Sequence, residues 1–486
     1  MKIVHICTEV APGGAVNSML GLHEGLLSMG VESWILTGRK AIEVKNCNVA
    51  SADEDSKIWL KELAKELIWK NRTPVSNTHF SLNCEEGNLS DNPLIREADI
   101  LHLHWVSGII SSSLIAGFAL LGKPVVWTLH DMRPLTGGCH FSAGCMRYQK
   151  ECGSCVQLQT DILNFTRKSL LSMAGAANIL KPRFVAPSRW MHQIVRDSSV
   201  ARTLSSSCIP YGVDTDLFRP GSMNEARNTL GLAPDADYIL LASHSLIEKR
   251  KGASHAIEIL NALTKDPLAQ SRIASGKLRL LICGHPSKDF KPKGWVVDRT
   301  GYRPASEMHL VYQSANIMLF TSTEDNLPNV ILESMACGLP VVAHAVGGVP
   351  ELLGVCCNEM LFAPGDTKHG AQLVLRCIKD AQQLIRIGGL CSEHIRAHYT
   401  LAKQASSYCD LYRNIMQQPK DRTADIHDLV QILQTKEKSF FDECRRVLSG
   451  KSKKGIFSKH KSLIHNKLII VGRKLGGYYN VLQKTR

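Results

Sequence analysis

No stretch of the 486 residues approaches the roughly 18 uninterrupted apolar residues of a membrane-crossing helix. The first apolar run, Lys2 to Cys7, is too short for a secretory leader and leads into a glycine turn, so it reads as a first strand. The expectation is a cytoplasmic protein. Without a secretory leader, the sixteen cysteines argue for reduced thiols or metal ligands over a disulfide framework. Acid is missing from residues 451 to 486, which hold ten Lys or Arg, so the formal net charge of +14 is mostly a property of this tail. Apolar residues at 44% and charged ones at 21% are ordinary for a globular chain. The length exceeds what one core supports, so two domains and an appendage are expected.

What is present is most concentrated between Ile317 and Leu353, IMLFTSTEDNLPNVILESMACGLPVVAHAVGGVPELL. Ile317 to Phe320 has strand length and ends in the polar run Thr321 to Asn326. Pro328 suits a helix start and Gly338 its stop; Pro340 to Val346 is the next strand, and Gly347-Gly348 opens a turn. In open α/β sheets ligands lie outside the carboxyl ends of strands, where helix amides and glycine turns receive phosphate. Asp325, Glu333, Gly347 and Gly348 all fall near such a rim.

The run resembles the donor-site signature of retaining glycosyltransferases of the GT-B fold, family 4, in a subgroup of polysaccharide and colanic-acid type. That signature has two glutamates separated by seven residues, then Gly-x-Pro-Val-Val; here Asp325 and Glu333 keep the spacing and Gly338-Leu339-Pro340-Val341-Val342 follows. The first acid is Asp in place of Glu. The resemblance implies two Rossmann-like, doubly wound parallel-sheet α/β domains facing across a cleft. It also implies no catalytic cofactor, a nucleotide-sugar donor, and a saccharide or polyprenyl-linked glycan acceptor. Asp325, with Asn326 beside it, would meet the donor sugar, and Glu333 the ribose hydroxyls. Lys251, with Arg250 in place of an arginine usually found about five residues earlier, would grip the diphosphate. His130, at the end of a first-half strand, would lie by the donor sugar as a catalytic group. Gly347-Gly348 and the first glycine loop, Gly13-Gly14, would complete the donor contacts.

Along the chain, Lys2–Cys7, Gly13-Gly14 and a helix from Val16 to Met29 make a strand, glycine loop and helix. Residues 40 to 96 have poor pattern apart from a helix around Ile58 to Trp69, and read as an insertion over the surface. Strand and helix alternate again from Asp99. With the resemblance, this implies an acceptor-side domain at 1–210, a nucleotide-sugar-binding domain at 211–400, a helix at 401–417 crossing back, and a basic extension at 418–486.

Asp214-Thr215-Asp216 looks like the Asp-x-Asp metal motif of the other glycosyltransferase fold. It follows Pro210-Tyr211-Gly212-Val213 and precedes Phe218 and Pro220, which matches the interdomain turn of the resembled family, so it reads as structural and activity is expected without added metal. Cys139, Cys145, Cys152 and Cys155 occupy one polar loop, and four thiolates make a tetrahedral zinc set; free thiols or disulfides are the alternatives. The tail at 451–486 could lie on anionic lipid at the inner face of a membrane, at about 1 kcal/mol per basic residue, or be a solvated terminus. Competing readings are a GT-B epimerase or phosphorylase and, from another class, a basic nucleic-acid- or membrane-binding protein without catalysis. No nucleic-acid module is recognisable, so no nucleic-acid partner is expected.

Overall fold

The computed structural model describes residues 1–11, 13–39, 44–50, 54–76, 78–83, 89, 92–285, 290, 292–418 and 426–451. The expected basic tail therefore lies, after Lys451, outside the described residues. Among those described, Met1–Leu433 form one compact unit and the chain from Gln434 belongs to a second.

The central apolar runs, such as Lys2–Cys7, Ile100–Leu103, Val125–Thr128, Ile317–Phe320 and Val341–His344, become buried parallel strands because helices cover each side of the sheets. The first sheet has the order β3-β2-β1-β4-β5-β6-β7, built from β1 (Lys2–Cys7), β2 (Glu32–Thr37), β3 (Cys47–Val49), β4 (Ile100–Leu103), β5 (Val125–Thr128), β6 (Arg183–Ala186) and β7 (Ser206–Cys208). The second has the order β10-β9-β8-β11-β12-β13, from β8 (Asp237–Ser245), β9 (Leu278–His285), β10 (Val297–Gly301), β11 (Ile317–Phe320), β12 (Val341–His344) and β13 (Leu361–Phe362). Strand order reverses between β1 and β4 and between β8 and β11. Those two switch points are where a parallel sheet opens a crevice at its carboxyl edge.

In the first lobe the helices are α1 (Gly14–Ser28), α2 (Glu54–Leu67), α3 (Pro93–Glu97), α4 (Ser112–Phe118), α5 (Phe165–Leu180) and α6 (Arg189–Asp197). The second lobe holds α7 (Met223–Leu230), α8 (Ala253–Leu263), α9 (Pro267–Ala274), α10 (Met308–Ser314), α11 (Asn329–Ala336), α12 (Val349–Leu353), α13 (Thr367–Lys379) and α14 (Ala381–His398). Two helices follow, α15 (Leu401–Gln417) and α16 (Ile426–Lys451). The expected helix from Gly252 begins one residue later, since Gly252 has φ +68 and a Cβ there would lie 1.8 Å from the carbonyl oxygen of Thr321.

α15 returns to the first lobe. Its Ala405, Tyr408, Cys409, Tyr412 and Ile415 join Ile3, Leu22, Leu26, Ile100, Val126 and Val185 in one buried cluster. Burying apolar surface stabilises this return at about 25 cal/mol per Å². Two buried hydroxyls hold it in register: Tyr408 Oη pairs with Thr128 Oγ1 at 2.6 Å, and Tyr412 Oη with His102 Nδ1 at 2.7 Å. The first core also takes in Val430 and Leu433 from the start of α16.

Residues 40–96 are more than a surface insertion. Cys47–Val49 forms an edge strand on β2, and Phe80 bridges Cys139 while Arg72 bridges Leu158, so the segment after α2 is sewn to the cysteine loop.

Candidate active site

The carboxyl ends of β8 and β11 carry a charge cluster of Glu248, Arg250, Lys251 and Asp325. β8 ends in a turn that delivers Arg250 and Lys251; β11 ends in the turn holding Asp325. Asp325 Oδ2 accepts from Lys251 Nζ at 2.8 Å and from Arg250 Nη1 at 3.0 Å. Burial alone would raise the Asp325 carboxyl, yet Lys251 and Arg250 together hold it down at about 2. Arg250 is 7% exposed. It also faces the Glu248 carboxylate, donates to the Glu324 carbonyl at 2.7 Å, and lies 4.4 Å over the Phe141 ring of the first lobe. Lys251 is the more accessible of the two cations.

Gly347 and Gly348 lie beneath this turn for a steric reason. A Cβ on Gly347, at φ +54, would sit 1.6 Å from the Asp325 carbonyl oxygen, and one on Gly348 would sit 2.3 Å from that of Asn326. The Gly348 N–H, expected to face phosphate, instead donates to the Asn326 carbonyl at 2.7 Å. The pair shapes the Asp325 turn by letting two backbones touch.

Asn326, expected at the donor, instead joins the lobes. Its Nδ2 donates to the carbonyls of Leu129 at 2.8 Å and His130 at 3.2 Å, and its Oδ1 accepts from Ser188 Oγ at 2.8 Å. Asn329, opening α11, reaches the first glycine loop, donating to the Gly14 carbonyl at 2.9 Å beside Ser18. Gly13, just before α1, has open space where a Cβ would stand. Glu351 of α12 receives the backbone N–H groups of Arg189 and Trp190 at 2.8 and 2.9 Å, so a second-lobe carboxylate sits at the positive end of α6.

His130 ends the first-lobe strand facing this turn. Its Nε2 meets His104 Nδ1 at 3.0 Å, its Nδ1 meets Tyr211 Oη at 2.7 Å, and His104 Nε2 continues to His5 Nδ1 at 2.9 Å. Burial lowers the His130 imidazole to about 4 against the opposing charge of Asp131. The ring is neutral at pH 7. Both ring nitrogens are already hydrogen-bonded, so a bond from His130 to a ligand requires exchange with Tyr211 or His104. That constraint is invisible in sequence.

Behind His130, a first-lobe cavity is lined by His104, Trp105, Ser107, Asp131, Arg133 and Asn83, among others. Asp131 organises it: its Oδ2 accepts from Trp105 Nε1 at 2.9 Å and pairs with His140 Nδ1 at 2.7 Å, while Oδ1 accepts from the Arg133 N–H. Burial opposes that charge, but His140 and these donors still leave the Asp131 carboxyl below its ordinary range. Sequence reasoning missed this polar lining; the His-Asp and Cys-His pairs at 130–131 and 139–140 were its only local trace.

Glu333 is placed apart from the Asp325 cluster and shares no hydrogen bond or ion pair with it among the described residues. It is half-buried on α11 and accepts from Tyr312 Oη of α10 at 2.6 Å. Burial raises its carboxyl to about 7, with the Tyr312 hydroxyl pulling the other way.

Cys139, Cys145, Cys152 and Cys155 line one small cavity with Thr136, Arg147 and Tyr148. Among the described residues, no three of these sulfurs lie within 4.8 Å of one another. The loop's position is cleft-facing: the N–H groups of Ser142 and Ala143 donate to the Glu324 carboxylate at 3.2 and 3.0 Å. Asp214 closes the turn between lobes, accepting from the N–H groups of Asp216 and Leu217 at 2.9 and 3.1 Å.

Residues 237–380 match the model of a family described as glycosyl transferases group 1. A D-inositol 3-phosphate glycosyltransferase of Actinosynnema mirum is 34% identical over 182 residues, covering 35% of this chain and 42% of that protein. A putative colanic acid biosynthesis glycosyl transferase of Escherichia coli, WcaC, is 22% identical over 439 residues, 85% of this chain and 100% of that protein. The chain spans about half the length of the first D-inositol 3-phosphate relatives, between 42% and 55% of them. Among solved structures, Anabaena HepE in complex with UDP superimposes with a TM-score of 0.57 at 16% identity, over 85% of this chain and 100% of that one. WaaG, a glycosyltransferase involved in lipopolysaccharide biosynthesis, does so with 0.55 at 13% identity, over 84% and 99%. The two facing parallel-sheet lobes are the GT-B fold.

Proposed function

From a chain whose residues 237–380 match the glycosyl transferases group 1 model, we propose a nucleotide-sugar-dependent glycosyltransferase acting in the cleft between its lobes. The observation that carries the reading is the Asp325 carboxylate held by Lys251 and Arg250 where β8 and β11 end, tied through Asn326 to the strand end bearing His130.

Transfer from a nucleotide sugar leaves a diphosphate whose developing charge must be met by preorganised cations and N–H groups. Lys251 is the cation free enough to turn toward it, while Arg250, locked by Glu248 and Phe141, fixes the field behind it. Asp325, ionised down to about pH 2, orients the donor sugar through its hydroxyls. Neutral His130 lines the floor of the sugar site and meets a sugar hydroxyl by exchange with Tyr211. Glu333 takes the ribose hydroxyls as its proton leaves, and the opening at Gly13-Gly14 admits the donor without a Cβ in the way. The acceptor, a saccharide or polyprenyl-linked glycan, enters from the cavity beside Asp131. The transfer retains anomeric configuration. The domain boundaries at 210 and 400, the tail at 451–486 as a contact with anionic lipid at the membrane's inner face, and a structural zinc on the cysteine loop belong to the same proposal.

WcaC as a relative along its whole length, and solved neighbours in complex with UDP, support a polysaccharide-building role with a uridine donor tried first. The test is a panel of nucleotide sugars incubated with the purified chain, scored by donor hydrolysis and thermal stabilisation. One donor should stand out, and Glu333→Ala should weaken its response. A flat panel would remove the proposal. Asp214→Asn with Asp216→Asn should keep transfer without added metal; loss rescued by manganese would overturn the metal-free reading.

A further inference from the structure

Cys356, Cys357 and Cys391 bring three sulfurs within 4.8 Å of one another on the side of the second lobe where α12 ends. Cys356 Sγ lies 3.3 Å from Cys357 Sγ, and Cys357 Sγ lies 3.6 Å from Cys391 Sγ. Zinc–sulfur bonds of about 2.3 Å at tetrahedral angles place ligand sulfurs about 3.8 Å apart, so these thiols already stand near the separation one ion imposes. Cys357 and Cys391 are 1% and 0% exposed. A single buried cysteine is ordinary core filling. Three within reach of one ion are not.

His394 is the candidate for the fourth position: only the three sulfurs share the 4.8 Å set among the described residues, so its ring would turn toward them on binding. His394 follows Cys391 by three residues within α14, the spacing that puts two side chains on one helix face. Its Nε2 is buried without a hydrogen-bond partner among the described residues, although the residue as a whole is half-buried. An orphaned imidazole nitrogen costs free energy that a metal bond would recover.

We propose that Cys356, Cys357, Cys391 and His394 form a structural site for a soft divalent cation of the zinc class, separate from the 139–155 loop and from the donor cleft. Binding would release the three thiol protons to solvent, as thiolate ligation requires. The clip would join the carboxyl end of α12, whose other end begins at Gly348 behind Asp325, to α14. That helix packs beneath α11: a Cβ on Gly388 would lie 2.2 Å from the Gly338 carbonyl oxygen, and Ser392 Oγ donates to the Ala336 carbonyl at 3.1 Å. The ion would brace α12, which follows the Gly347-Gly348 turn, against α14, which packs beneath the α11 helix that carries Glu333.

The experiment is cobalt and zinc titration of the full, reduced chain alongside Cys391→Ser, His394→Ala and, as a control for the other loop, Cys155→Ser. The site predicts sulfur-to-cobalt charge-transfer absorption that persists in Cys155→Ser and drops by one equivalent in Cys391→Ser. His394→Ala, which removes a half-buried side chain and little core volume, should keep its fold and lose zinc to a chelator at least about tenfold more readily. Absence of the charge-transfer band in Cys155→Ser would overturn the proposal. So would a band and chelator competition in both Cys391→Ser and His394→Ala equal to those of the unaltered chain.

Discussion

Glu333 keeps its proton to about pH 7, well above an ordinary carboxyl near 4.5. The folded chain holds that proton between about 4.5 and 7 while the unfolded chain has released it, so this residue's contribution to stability is lost as pH rises through that window. Glu333→Gln should remove the slope and raise stability at pH 8 by roughly 1–3 kcal/mol in a pH series of thermal melts. A ribose-binding carboxylate gains when ionised, so donor-induced stabilisation should grow from pH 6 to pH 8 in the unaltered chain and stay flat in the variant. Gly347→Ala belongs at the same scale. Its Cβ would overlap the Asp325 carbonyl, and backbone strain of about 1–3 kcal/mol or more should appear as a lower Tm together with loss of donor response. The seven-residue spacing of Asp325 and Glu333 was legible in sequence, but their different surroundings were not. One carboxylate sits between two cations and the other under a tyrosine, and only α10 and β8 in place decide that. Arg250 shows the same limit: its place after a strand pointed to the diphosphate, but the Phe141 ring of the other lobe that covers it was not legible.

Among the described residues, the turn at the carboxyl edge of β11 makes several bonds between lobes through Glu324 and Asn326. Asn326→Ala deletes the donor to Leu129 and His130 and the acceptor for Ser188. Each lost buried bond costs about 0.5–1.5 kcal/mol, more where a partner is left unpaired, so the Tm should fall and transfer should fall further than donor binding does. Equal activity in the variant would show that the latch is not used in turnover. The long apolar strands and the run from Ile317 to Leu353 were read correctly as elements because their burial is continuous and proline and glycine punctuate them. β3 and β7 escaped notice because three-residue edge strands such as Ser206–Cys208 carry no apolar signature. α5 escaped because Met173 to Ala177 are small or flexible residues with little contrast between faces. The segment 69–82 was read as surface because its reason for order, the bridge from Phe80 to Cys139, lies 59 residues away.

For the whole molecule, the return of α15 makes the two lobes interdependent. Tyr412→Phe removes the hydroxyl facing His102 in the buried cluster, and a loss of about 1 kcal/mol should appear in denaturant melts. Truncation at residue 451 should leave donor-induced stabilisation intact while abolishing salt-sensitive binding to anionic vesicles; RNA binding that survives in place of vesicle binding would count against the lipid assignment. The two-lobed plan was legible from the repeated alternation of strand and helix, whereas the boundary between the two compact units, after Leu433, was not. Nothing in local composition separates Ile426, Val430 and Leu433 from the rest of their helix.

The peptide passes between lobes at 211–220 and again near 400, and these crossings lie side by side: Val213 bridges Thr400 in parallel, and the Val213 N–H donates to the Tyr399 carbonyl at 2.8 Å. Two adjoining tethers behave as one door hinge. Opening is thereby confined to a swing about a single axis, and fluorophores placed on opposite jaws should report one coordinated displacement as product departs, not a broad wander.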